Sequence, residues 1–346
     1  MTSDRIDFVV TWVDGSDPRW LADFNRYRNH EGDARANRFR DWNNLQYLFR
    51  GFEKFTPWVN KIYLVTYGHT PKWMNLNHPK LEIVNHEDFL EAKNLPTFNS
   101  CAIEVNLHRI KGLSDKFVYF NDDTFLLKPL SRQAFFRKNL PVNTAIANVL
   151  HIGDIAHIEL NNIDILNKHF YKQKNSIIIR NICKWFYPGY GTHSLKTLLL
   201  MAWPIFTGFK KYHHPQPFLK STFETLWRKE EDILSQVSAS KFRNTTDISQ
   251  YAFRYWQFAT GQFMPQSYRT SYKKRKYIEI RTKADAARAA KLVDKNKYEM
   301  ISANDAMSQG RLTKEDITKE DFFESINIFN KSLENILPNK SSFEIT

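Results

Sequence analysis

The sequence predicts an α/β fold in which a mostly parallel sheet with flanking helices precedes a mainly helical C-terminal part. Three observations predict it. Short β-rich apolar runs alternate with helix-spaced segments over residues 1–130, the pattern of a sheet covered by helices. Two of those runs end directly in acidic turns, and open parallel sheets hold ligands outside the carboxyl ends of their strands. Over residues 131–346 helical periodicity takes over, with no clear linker at the change, so the second part is expected to pack on the first and complete its site.

Ile6 to Val13 (IDFVVTWV) is the first apolar run, closed by the turn signal Asp14-Gly15-Ser16-Asp17-Pro18. Asp41 to Phe55 sets Leu45, Leu48, Phe49 and Phe52 at helical spacing, with Asp41 as the expected N-cap and Pro57 as the stop. Lys61 to Thr66 is a second strand, ended by Tyr67-Gly68, and Leu81 to Val84 is a short third. Asn99 to Ile110 reads as a helix ending at Gly112. Phe117 to Phe120 is a buried strand that runs straight into Asn121-Asp122-Asp123. Further helices are expected over Asn161–Phe170, Lys220–Phe242, Ile248–Phe258 and Asp316–Leu337.

With 346 residues, 42% apolar and 15% aromatic, the chain can bury a large core. Its net charge of +13 suggests a polyanionic partner: nucleic acid, an anionic membrane surface or a phosphate-bearing substrate. Eleven Lys or Arg against three acids between Arg269 and Lys297 carry +8 of that charge. The 11 glycines are roughly half the usual share of about 7%, and no GxGxxG or GxxxxGK run occurs. Phosphates must then be held by side chains or a metal. Two cysteines, Cys101 and Cys183, exclude a CxxC zinc site and suit a reducing compartment. The absence of a signal-peptide layout and of a long uninterrupted apolar run gives an expected cytoplasmic location.

Several constellations carry chemistry. The adjacent carboxylates Asp122 and Asp123 suit a hard divalent cation that binds substrate phosphates, or simply an Asx turn. The Trp12–Asp17 turn offers backbone N–H groups and an aromatic face to a base, or is an ordinary turn. His213 and His214 lie before Pro215 as a general base, phosphate contacts or plain surface residues. Arg243 suits a bidentate phosphate contact or a helix-edge salt bridge. Glu104 and His108 fall at i, i+4. Arg180 to Lys211 mixes Trp, Phe and Leu with Lys, as an anionic lipid interface or a buried helical hairpin does. Ser100, Ser114 and Cys101 lack the surroundings of an activated nucleophile.

Taken in order, these motifs resemble the Stealth family, the sugar-1-phosphate transferases of bacterial capsule synthesis and of the lysosomal-enzyme GlcNAc-1-phosphotransferase. The resemblance rests on IDFVVTWVDGSD at Ile6–Asp17 and on a long, specific region from about Arg38 to Lys128, with PWVNKIYLVTYGHTPKW, HPKLEIVNHEDF and LPTFNSCAIEVNLHRIKGLSDKFVYFNDD. Two looser regions follow: YHHPQPF through KFRNTTD to about Phe258, and Tyr298–Asp305 closing with LPNKSSFE.

The resemblance implies a nucleotide-sugar-transferase-like fold and transfer of hexose-1-phosphate from a UDP-hexose to an acceptor hydroxyl, with release of UMP. The runner-up is a metal-dependent glycosyltransferase that releases UDP. On the family reading Asp122 and Asp123 hold Mg²⁺ (or Mn²⁺), with Asp305 a further contributor. Arg243 binds the transferring phosphate, and His213, with His214 as the fallback, serves as base or phosphate contact. Thr11, Trp12, Asp14 and Gly15 cradle the uridine, and Arg38 or Arg40 reaches the pyrophosphate. His69, where some relatives carry Gln, is expected at the donor together with Asn99 and His108. The acceptor is expected to be a lipid-linked or growing polysaccharide at the inner face of the cell membrane, with the Arg269–Lys297 charge toward an anionic surface. No nucleic-acid-binding signature accompanies the charge.

Overall fold

Alternation along the first strand decides how the molecule is layered. Phe8 and Val10 face one side of it and Val9 the other, all fully buried, so this strand needs cover on both faces. The computed structural model describes residues 4–28, 33, 38–151, 153, 156–307 and 318–345. The elements of the first part are β1 (Ile6–Thr11), α1 (Pro18–Tyr27), α2 (Leu45–Phe55), β2 (Ile62–Thr66), β3 (Leu81–Asn85), α3 (Ser100–Glu104), β4 (Lys116–Asn121) and β5 (Thr124–Leu126). Then come β6 (Phe136–Arg137), β7 (Leu140–Asn143), α4 (Ala156–Phe170), α5 (Lys174–Arg180), α6 (Ile182–Trp185), α7 (Ser194–Leu200) and β8 (Gln216–Leu219). The rest are α8 (Lys220–Lys229), α9 (Glu231–Ala239), α10 (Tyr251–Ala259), β9 (Met264–Pro265), β10 (Arg275–Ile280), α11 (Lys283–Asp294), β11 (Met300–Asp305) and α12 (Lys319–Ile336).

The main sheet runs β3-β2-β1-β4-β8, with β3, β2, β1 and β4 parallel and β8 antiparallel to β4. Thr11, Thr66, Asn85 and Asn121 therefore end their strands along one edge. A second sheet, β10-β11-β5, starts just past that edge, where the Ala303 N–H donates to the Asp123 carbonyl at 2.9 Å. A third small sheet joins β6, β7 and β9.

One core packs Phe8, Val118 and Phe120 against Phe49 and Phe52 of α2, then against α11 and α12 through Val293, Phe329 and Leu333. Phe52 sits 5.0 Å from Phe8 and 4.9 Å from Phe120, ring to ring, and truncating such a residue to Ala costs about 3–5 kcal/mol. The opposite core packs Val9, Phe117 and Tyr119 against α4, α8 and α10, with Phe223 and Phe253 stacked at 3.8 Å. Both cores draw on residues from either side of residue 130. The far end of the chain is bound back as well. The Arg50 guanidinium donates twice to Glu344, at 2.9 Å each, and once to the Leu337 carbonyl at 2.7 Å, while Phe343 packs on Phe49.

The α/β arrangement with a helix-rich second part is as the sequence predicts, and that part also contributes β8, β10 and β11. Three local expectations are corrected. Helix α2 starts at Leu45 with Asn44 at its N-cap, and Asp41 instead closes a turn before it by accepting the Asn43 N–H at 3.0 Å. The expected Asn99–Ile110 helix stops at Glu104. The Asn106 side chain takes the Ala102 carbonyl at 2.8 Å that its own N–H would take in a longer helix, and it also bonds Ser238 at 2.8 Å. Glu104 and His108 consequently share no helix face. Lys220–Phe242 divides at Glu230, which is buried against Lys168 and His169. Among the described residues no helix is long and apolar enough to cross a membrane. The expected Asp316 helix start lies outside them, and α12 opens on a Thr318–Asp321 capping box.

Candidate active site

Register brings the two acidic turns together. Thr11 pairs with Asn121 across β1 and β4, so Trp12–Asp17 and Asp122-Asp123 leave the sheet side by side. Asp41 joins them from the segment before α2. Burial, then the like charges of Asp123 and Asp41, push the Asp122 carboxyl up to about 8. The Asp41 carboxyl is also raised, by burial first and by Asp14. Here a concentration of negative charge faces no Lys or Arg among its principal neighbours.

His213 is the basic side chain that meets it. The stretch leading into β8 sets its Nε2 2.9 Å from Asn121 Nδ2 and 3.1 Å from Asp123 Oδ2. Burial works against a charged imidazole, but Asp123, backed by Glu104 and Asp122, outweighs it and raises the ring above its ordinary value. The Tyr277 ring of β10 lies 5.3 Å from His213. His214 points elsewhere. It is buried, its Nδ1 is 3.1 Å from Ser302 Oγ, and burial followed by Arg275 keeps it neutral.

Behind this pair runs a buried polar relay. Thr11 Oγ1 and the Tyr119 hydroxyl are 3.0 Å apart, and that hydroxyl donates to Glu104 Oε1 at 3.3 Å. The Gln250 N–H donates to Glu104 Oε2 at 3.1 Å, while both Arg243 and His213 lower the Glu104 pKa against the burial that raises it. Arg243 donates from Nη2 to Ser100 Oγ at 2.6 Å and, among the described residues, forms no ion pair with a carboxylate. Its carbonyl accepts from the Asp33 N–H at 2.9 Å, and Asp33 in turn pairs with Arg38 at 2.7 Å from Nε. Arg38 and Arg243 thus border one end of the site.

The Trp12–Asp17 turn differs from the open cradle expected of it. The Asp14 N–H donates to His69 Nε2 at 2.9 Å, the Gly15 N–H to the Phe39 carbonyl at 2.9 Å and the Ser16 N–H to Asp14 Oδ1 at 2.8 Å. These three donors are already used within the fold. Gly15 is required for the close approach to Phe39, since a Cβ would fall 2.4 Å from that carbonyl oxygen. His69, edge-on to Trp12, acts on the turn as an acceptor, its pKa lowered by burial.

Four expected residues are not brought to the acidic pair. Asp305 is held by Arg40 at 2.9 and 3.0 Å, by Trp42 Nε1 at 3.1 Å and by the Met307 N–H at 2.9 Å, which occupies the carboxylate that was to help hold a metal. Arg40 is tied up by the same contacts and by the Phe322 ring. Asn99 caps α3 and bonds Asp247 at 2.8 Å, fully buried. His108 packs on Phe223 and Trp227 toward the amino end of β4. Conversely, Asp41, Glu104, Tyr119 and Tyr277 were not anticipated at the site. In the sequence Glu104 stands only as an i, i+4 neighbour of His108, and Asp41 only as a helix cap just after the Arg38–Arg40 segment.

Among the described residues no three His, Cys, Asp or Glu are gathered as a metal cage. A Mg²⁺ ion commonly takes only one or two carboxylates and completes its shell with water and substrate phosphate. The desolvated, like-charged Asp122 and Asp123 are such a hard-oxygen pair.

Residues 4–32 match conserved region 1 of Stealth proteins, and residues 38–143 match conserved region 2. The capsular polysaccharide phosphotransferase WcwK of Streptococcus pneumoniae is 39% identical over 99% of this chain and 98% of its own. This chain belongs to the Stealth family. As a Stealth protein it is a transferase enzyme. The receptor polysaccharide phosphotransferase WefC of Streptococcus oralis is 35% identical, with 99% of this chain and 100% of its own covered. The exopolysaccharide phosphotransferase cps2G of Lactiplantibacillus plantarum is 34% identical over 98% and 96%. Both acidic turns and Asp41 fall within the two matched Stealth regions; His213, Arg243 and Tyr277 lie beyond them.

Proposed function

We propose that this enzyme transfers a hexose-1-phosphate from a UDP-hexose to a hydroxyl of a lipid-linked or growing cell-surface polysaccharide, forming a phosphodiester and releasing UMP. The single observation that carries the reading is the Asp123–His213 contact beside Asp122, at the edge where β1 and β4 end. The full-length relatives named as polysaccharide phosphotransferases support the acceptor class.

In this reaction the acceptor oxygen attacks the β-phosphorus of the donor, and the bond from that phosphorus to the bridging oxygen of UMP breaks. The hexose–oxygen bond is untouched. In the tautomer with Nε2–H, His213 donates to Asp123 and does not accept from Asn121 Nδ2, and Nδ1 is left to take the hydroxyl proton. The same carboxylate raises the basicity of the imidazole. Asp122 and Asp123 would hold Mg²⁺, or Mn²⁺, which when bound neutralises charge on the diphosphate. Arg243 supplies positive charge from the opposite end, where its guanidinium is steadied by Ser100. Trp12, buried and edge-on to His69, backs the turn at which the uracil is expected and presents no open face to it. Behind these groups Glu104 and Tyr119 form a hydrogen-bonded frame with Thr11 and the Gln250 N–H.

Incubation with a panel of UDP-hexoses, a polysaccharide acceptor and Mg²⁺, reading UMP and UDP separately, tests the reading. UMP with a phosphodiester product is expected. UDP with a glycoside product overturns it in favour of a metal-dependent glycosyltransferase.

A further inference from the structure

The helices α5, α6 and α7 present an apolar face that the candidate active site does not use. Thr197 fixes the rotation of α7: it is fully buried and its Oγ1 accepts the Ala147 N–H at 3.1 Å. Leu195 and Leu199, two residues to either side, therefore point away from the protein. Leu195 and Leu199 are one turn apart, and Trp203, just past the end of α7, is exposed as well: 58%, 71% and 53%. Leu198 flanks them, also exposed. Helix α5 is fastened beside it, since Lys174 bonds the Leu200 carbonyl and Asn175 Nδ2 the Met201 carbonyl at 2.9 Å. Its Ile177 and Ile178 are buried, whereas Ile179, and Ile182 just beyond, are exposed. The inner sides of the three helices close over the fully buried Trp185.

Charge around this face is of one sign. From Ile165 to Phe223 the sequence holds no Asp or Glu, while Lys172, Arg180, Lys184 and Lys196 all fall within it. Among the described residues none of these four pairs with a carboxylate: Arg180 bonds the Ser176 carbonyl, Lys184 the Gly261 carbonyl and Lys196 the Asn148 side chain. In the denser basic stretch from Arg269 to Lys297 five of the eleven cations have carboxylate partners: Lys274 and Arg275 on Glu299, Arg281 on Glu279, Lys283 on Glu324 and Arg288 on Asp285. Of its large apolar side chains only Tyr277 is exposed, so it has no apolar face to enter a bilayer.

We propose that the α5–α7 face seats the enzyme on an anionic lipid bilayer. Leu195, Leu199, Trp203 and Ile179 enter the boundary between headgroups and acyl chains, and the flanking Lys and Arg meet lipid phosphates. Clustered Leu and Ile favour an acyl environment over a sugar polymer, and the uncompensated positive charge disfavours a second copy of the same face. The inference is independent of the donor and of the chemistry at Asp122 and Asp123.

The full chain is tested by co-sedimentation with phosphatidylcholine vesicles with and without about 30% phosphatidylglycerol, at low and high salt. Cys183 is exposed beside Ile182 whereas Cys101 is buried, so one environment-sensitive thiol dye reports this face alone. Salt-sensitive binding to the anionic vesicles and a blue shift of the dye are expected. The double variant Leu195→Glu, Leu199→Glu should bind about tenfold less or weaker still. Its transfer to a soluble acceptor should be unchanged, which shows that it folds. Equal affinity for both vesicle types, no vesicle binding, or full binding by the double variant overturns the proposal. So does a sedimentation-velocity result in which the double variant splits a dimer that never bound vesicles.

Discussion

His213 and Asp123 meet 90 residues apart in the chain, with Nε2 3.1 Å from Oδ2. The contact is a product of strand pairing. Asp123 follows β4 and His213 precedes β8, and the antiparallel match of Tyr119 with Gln216 leaves both just past the same sheet edge. Its neighbour His214 is directed to Ser302 instead.

Replacing His213 with Gln is expected to lower kcat by about 10²–10⁴-fold with little change in thermal stability. Replacing His214 with Ala is expected to cost about 1–3 kcal/mol of stability, because Ser302 Oγ loses a buried partner, while kcat falls far less. Steady-state UMP release and denaturant melts on both variants separate these outcomes.

The acidic pair gives an opposite signature. Asp122→Asn should raise stability, on the order of 1 kcal/mol, by relieving repulsion from Asp123 and Asp41 in a desolvated setting. Mg²⁺ or Mn²⁺ is expected to raise the melting temperature of the parent enzyme, and this rise should be absent in the variant. Asp123→Ala should reduce transfer by about a thousandfold or more, having lost both a cation ligand and the orienting partner of His213. Chelation of the parent by EDTA should stop UMP release, and added Mg²⁺ should restore it.

Asp305 separates structural from catalytic carboxylates. Asp305→Ala strands Arg40, Trp42 Nε1 and the Met307 N–H, and should destabilise the fold by about 1–3 kcal/mol. The Mg²⁺ concentration for half-maximal activity should not move. A marked rise in that concentration would return Asp305 to the metal site.

Buried histidines set an acid limit. Burial, with Arg109 adding to it, lowers His108 to about 3, and burial lowers His86 to about 4, both from an ordinary 6.5. Unfolded chains take up the proton first, so the stability held by the neutral rings is complete above pH 6.5. It drains away toward pH 3–4, at most by about 1.4 kcal/mol per pH unit for each ring. His108→Gln should flatten this dependence, so that its stability deficit against the parent shrinks as pH falls from 6.5 to 4, as read from urea midpoints.

The parallel strands could be read from sequence because each is a short apolar run closed by its own turn signal, and the acidic ends came with them. Strand β8 could not be read in the same way. Gln216-Pro217-Phe218-Leu219 is short and contains a proline, tolerated because β8 lies at the edge of the sheet. Asp41 looks like a helix cap in sequence because an acid before an apolar run usually is one. Only the turn from β1, which brings Trp12 and Asp14 to it, gives it another role. Asp305 and Arg40 stand 265 residues apart, and nothing local to either says that they neutralise each other. The Asn99–Ile110 reading failed at Asn106, whose side chain found a partner, Ser238, 132 residues away.

The place of β8 beside β4 bears on synthesis. A ribosome delivers the Phe-rich strands and both acidic turns well before residues 213–219 emerge. Until then β4 offers an unpaired edge and Phe117 has no Phe218 beside it. A nascent chain halted after β7 would hold every acidic turn yet lack His213, and its open edge would invite pairing with other chains. The His213 that meets Asp123 and the strand that covers this edge thus arrive together, in the same few seconds of elongation.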